Sequence, residues 1–129
     1  MGHANADRLR EAFQAQDQGD WQKVREAFAD DVVFHVAGRN RFSGDYRGKD
    51  ELFDLFERRN KETGSKVDID VHAVVADDEH AVALLMMRAR REGKNSEWRS
   101  VGMYHMRDGK IAEAWGFNED QQAVDDFWA

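Results

Sequence analysis

The hydrophobic rhythm of the chain changes at Gly64, from a helical period to a period of two, and the second rhythm lasts almost to the C-terminus. Before that point Ala6, Leu9 and Phe13, then Trp21, Val24 and Phe28, then Leu52, Phe53 and Phe56 recur at helical spacing, which predicts three amphipathic helices. Asp20 is placed to cap the second helix, which the pattern ends at Asp30-Asp31, and Gly64 to close the third. After it, Val67, Ile69 and Val71 alternate with Asp68, Asp70 and His72, as in a strand buried on one face. Ala81 to Met87 is apolar at every position, the pattern of a central strand covered on both faces. Trp98 to Met106 and Ile111 to Phe117 follow, joined by the hairpin signal Asp108-Gly109. One earlier strand, Val32 to Val36, lies between helices, and a short last helix carries Val124, Phe127 and Trp128, with Asn118 and Gln121 resembling a capping box. Helices first and sequential antiparallel strands afterwards predict an α+β fold, a curved antiparallel sheet with helices on one face.

The 129 residues suit one domain spanning 1–129, and no Ser-, Pro- or Gly-rich stretch divides them. A formal net charge of −7 argues against a nucleic-acid partner, which needs a basic stripe to neutralise phosphates. With no cysteine there is no disulfide framework or thiolate chemistry, and a cytoplasmic location is expected. The N-terminal residues lack the basic start and apolar run of a signal peptide, and no segment approaches a membrane span. Five histidines without HxH or HxxxH pairing predict no metal site, and no cofactor is expected.

Three segments, GDWQKVREAFADDVVFHVAG (Gly19 to Gly38), GDYRGKDELFDLF (Gly44 to Phe56) and RDGKIAEAW (Arg107 to Trp115), resemble the SnoaL-like and ketosteroid-isomerase-like branch of the nuclear transport factor 2-like superfamily. The resemblance implies a cone, with helices closing over the concave face of the sheet and ligand or catalytic groups lining the inside. It also implies isomerase, cyclase or hydratase chemistry on a small polyketide, steroid-like or terpenoid molecule, or a module that only binds or assembles. The positions it brings along are mostly empty here. Cyclase relatives have a His and an Asp where this chain has Ala114 and Gly116, and isomerase relatives have a base carboxylate at Val36 and a tyrosine at Ala12. Of the Asp-Arg-Asp set of epoxide-hydrolase relatives only Arg88 is present, with Arg90 where an Asp is needed.

Reading Arg107-Asp108-Gly109 as a type I turn with a bulge at Gly109 sets residue 102 opposite 114. Trp98, Ser100, Gly102, Tyr104, Ala112, Ala114 and Gly116 then share one face, which the family match makes the concave one. Four small residues there, Ser100, Gly102, Ala114 and Gly116, leave either a ligand cavity or space for a neighbouring aromatic ring. Trp98, Val36 and Arg88 are further candidate ligand contacts. Tyr104 is a candidate hydrogen-bond donor or weak acid, and His35 a candidate proton carrier by its pKa range, although strand phase points Val36 inward and His35 outward or to the rim. On the opposite face Val101, Met103, Trp115 and Phe117 form an apolar patch expected to pair two copies of the chain, while the pocket is expected to take a small apolar organic ligand.

Overall fold

The computed structural model describes residues 3–64 and 67–129. Its elements run α1 (Ala4–Asp17), α2 (Trp21–Glu26), β1 (Phe28–Val36), β2 (Gly44–Arg47), α3 (Gly48–Thr63), β3 (Val67–Ala76), β4 (His80–Arg91), β5 (Lys94–Arg107), β6 (Lys110–Asn118) and α4 (Gln121–Phe127). The six strands form one sheet in the order β2-β1-β6-β5-β4-β3. The meander β3 to β6 is antiparallel throughout, whereas β1 lies parallel to β6, with Phe34 beside Ala114 and His35 beside Trp115. The sheet is curved and open, and irregular pairing at Val71/Ala73 and His105/Met106 supplies local bends.

Local chemistry accounts for the ends of the helices. The Asp20 carboxylate accepts from Lys23 N at 3.3 Å, and Gly64 closes α3 in the left-handed conformation at φ 62°. The cap of α4 is Asp120, which accepts from Ala123 N at 3.0 Å. Asn118, expected in that role, instead donates to the Gln121 side chain. The second helix is shorter than its pattern predicts, because Phe28 already belongs to β1.

The core fills the space between the helices and the concave face. Leu9 of α1, Val24 of α2, Leu52 and Leu55 of α3 and Val124 and Phe127 of α4 are buried against Val32, Ala83, Leu85, Trp98, Tyr104 and Ile111. The outer face is different. Leu84, Val101 and Phe117 stand side by side on β4, β5 and β6 and are 42%, 36% and 50% exposed. The apolar run of β4 is therefore covered on one face only, a correction to the expectation of two. Among the described residues no helix is long and apolar enough to cross a membrane.

Candidate functional site

The β5–β6 hairpin fixes what faces the helices. Asp108 and Gly109 both have positive φ, 53° and 76°, and form a two-residue turn flanked by the pair Arg107 and Lys110. The register skips Ala112, so Gly102 faces Gly116 and Tyr104 faces Ala114. This corrects the expected 102–114 pairing by two residues, and a shift of two leaves the faces unchanged. The skip moves one residue across the sheet: Ile111, expected outside, is buried within the cone.

Between sheet and helices lies a cavity of about 190 Å³. Val36, Trp98, Ser100, Gly102, Tyr104 and Gly116 all border it, as their strand phase predicts. The helices contribute Trp21, one of the aromatic rings expected near this space, together with Phe13, Phe56 and Arg59, which the sequence does not mark as site residues. The lining is mainly apolar, and among the described residues it contains no Asp or Glu. Gly116 opens onto free space, with no atom within 4 Å of where a Cβ would stand. The room at Gly102 is taken up by the Tyr104 ring. Ala114 is buried and does not border the cavity, because its place beside Phe34 is packed.

Tyr104 is buried, and loss of solvent pushes its hydroxyl well above the ordinary tyrosine range. At neutral pH it is a neutral donor. Its hydroxyl has no partner among the described residues, which leaves it free to donate to a bound acceptor.

His35 is positioned differently. Its Nδ1 meets Asp45 Oδ1 and its Nε2 meets Glu113 Oε2, both at 2.7 Å, and its ring stacks on Trp115 with centroids 5.1 Å apart. With carboxylates at both nitrogens the ring is held as imidazolium. The Glu113 hydrogen bond, helped by Asp45 and outweighing burial, raises its pKa above the usual histidine value. These partners stand on the outer face with His105, so the ring points away from the helices, while His35 itself borders the cavity between Phe34 and Val36. Arg88 also lies outside, a correction to its expected ligand contact. Strand alternation from the inward Met87 turns it to the outer face, where it pairs with Asp70 and Glu97.

Asp45 and Tyr46 belong to the edge strand β2 and hold that edge in place. Asp45 binds His35, and the Tyr46 hydroxyl donates to Phe42 O at 2.7 Å. Among the described residues no group of three or more His, Asp or Glu is placed to hold a metal.

Comparisons with known proteins agree with this architecture. Bal32a, from a soil-derived mobile gene cassette, superposes with a TM-score of 0.94 at 26% identity over 98% of this chain and 97% of its own. A nuclear transport factor 2-like protein of unknown function from Burkholderia pseudomallei gives 0.88 at 17% identity, over 98% of both chains. IdmH from Streptomyces antibioticus, proposed to be a polyketide cyclase, gives 0.77 at 18% identity, over 95% of this chain and 96% of its own. The fold is thus the nuclear transport factor 2-like cone. The family model of the SnoaL-like domain matches residues 9–114, and the chain belongs to the SnoaL-like family.

Proposed function

We propose that this protein binds a small, largely apolar organic molecule inside the cone, without general-base catalysis by a carboxylate. The observation that carries this reading is the lining itself: a mainly apolar, partly open space beside Gly116, walled by Trp21, Trp98 and Phe56, with the unpartnered Tyr104 hydroxyl as a polar anchor. Apolar walls with a few placed polar groups are the usual make-up of small-molecule sites. Abstraction of a proton beside a carbonyl needs a positioned base, which typically contributes about 10²–10⁴-fold in rate. Val36 and Gly116 offer none, and the His35 ring is committed to Asp45 and Glu113 on the other face. Tyr104 serves as a hydrogen-bond donor to a ligand carbonyl or hydroxyl rather than as an acid. IdmH, which shares this fold, is proposed to be a polyketide cyclase, and a ligand of polyketide type is in keeping with that likeness.

Two copies are proposed to associate through the outer face of the sheet, each covering the Leu84, Val101 and Phe117 row of the other, with Met103 and Trp115 beside it. An uncovered apolar face of this kind is unfavourable in water.

The test is to titrate steroid-like and polyphenolic compounds into the protein by tryptophan quenching, and to assay the same compounds for isomerisation and hydration. Saturable quenching with turnover no faster than buffer is expected. Rapid turnover abolished by Tyr104→Phe would assign that residue a catalytic role and overturn the non-catalytic reading.

A further inference from the structure

Two arginines are drawn into the interior, and their surroundings are opposite. Arg91 is buried, donates through Nη1 to Phe127 O at 2.7 Å and through Nη2 to Glu62 Oε2 at 3.2 Å, and ties β4 to α3 and α4. Arg59 lies on α3 one turn after Leu55 and Phe56, on the stripe that faces the sheet, and borders the cavity. No side chain or carbonyl among the described residues accepts a hydrogen bond from its guanidinium, and no carboxylate pairs with it. Its Nε is fully shut off from water and has no hydrogen-bond partner among the described residues. The residue as a whole is half-buried, and burial around its guanidinium pushes the pKa down to about 10, so it remains charged at neutral pH.

Two π faces meet this cation, with the guanidinium carbon 5.5 Å from the Phe42 ring and 5.6 Å from the Trp128 ring. Such contacts offset part of the cost of enclosing a charge, but they leave the Nε–H unsatisfied. The neighbouring arginines do not share the deficit: Arg58 pairs with Asp54 and Arg41 with Glu62.

We infer that Arg59 is the anion anchor of the cavity and that the ligand carries a carboxylate, which the guanidinium fork holds while the apolar walls take the rest of the molecule. A planar carboxylate matches one guanidinium through two parallel hydrogen bonds, and its single negative charge balances the single arginine of the lining, which among the described residues holds no lysine to meet the second charge of a phosphate ester. Its partner then comes from the ligand. This inference rests on the proposed cavity binding and adds the chemical class of the ligand.

The test compares 2-naphthoate with 2-naphthamide, which share shape but not charge, by calorimetric titration of the wild-type protein, Arg59→Met and Arg59→Lys. The wild type is expected to bind the carboxylate at least about tenfold more tightly than the amide. In Arg59→Met that preference disappears while amide affinity stays within about threefold, and Arg59→Lys retains part of it. Equal wild-type affinities, or a preference that survives in Arg59→Met, would overturn the anchor while leaving the cavity reading standing. Binding of neither probe would overturn both. The wild-type pair and the lysine variant decide the matter even if the methionine variant fails to fold.

Discussion

The Tyr104 ring lies over Gly102, with its hydroxyl 2.3 Å, and Cε2 and Cζ 2.8 Å, from where a Cβ on residue 102 would stand. Glycine is required there by a side chain two residues along the same strand face, since Gly102 itself has ordinary extended backbone. Gly102→Ala forces the ring out of place within a packed interior. We expect it to destabilise the fold by roughly 1–3 kcal/mol, the usual cost of overpacking, measured by urea denaturation. An alanine variant as stable as wild type would mean that the ring rests elsewhere.

Association through the outer face gives a second expectation. Phe117 is 50% exposed and flanked by Val101, with Leu84 next in the row, so Phe117→Glu places a charge within the proposed contact. Sedimentation should show a dimer for wild type at micromolar concentration and a monomer for the variant, with the fold retained because the side chain packs against nothing inside. A wild-type monomer, or a variant that keeps the dimer mass, would count against the interface.

The His35 bridge predicts a particular pH dependence. Because its pKa is raised in the folded state, the stabilisation is fully present below the unfolded value of about 6.5 and is lost as pH rises through the folded value. Relative to wild type, His35→Gln should cost roughly 1–2 kcal/mol at pH 6, the lower part of the range for hydrogen bonds to charged groups because Asp45 is half-exposed, and clearly less at pH 9. His105, 3.6 Å from Glu113, and His80, whose ring is 5.3 Å from that of His105, also face this cluster, so the difference between variant and wild type is the quantity to follow. A penalty that does not change with pH would show that the imidazolium is not what the two carboxylates hold.

These features were unequally legible in the sequence. The caps at Asp20 and Gly64 could be read because a few local residues determine them. The inward set Trp98, Ser100, Gly102, Tyr104 and Gly116 could be read because alternation has a period of two, which tolerated a register error of the same size. Ile111 was misplaced because the irregularity that skips Ala112 has no residue signature. The parallel pairing of β1 with β6 and the short edge strand β2 depend on contacts between distant segments. Arg59 did leave a signal, a charge on the stripe marked by Leu52, Leu55 and Phe56, but an arginine at such a position ordinarily carries its head out to water.

Gly116 gives the most direct access to the central claim, that the cone holds a small apolar molecule. Its Cβ position is open, so Gly116→Val adds bulk to the cavity without a clash at that point and suits a strand, and its unfolding free energy should stay within about 1 kcal/mol of wild type. The decisive measurement is calorimetric titration of 2-naphthamide into wild type and Gly116→Val at matched fold stability. The wild type should bind one molecule per chain with a dissociation constant below about 100 µM, in keeping with a ligand of this size, and the variant should show no saturable binding. No binding to wild type, or equal binding to the filled variant, would contradict a ligand site inside the cone.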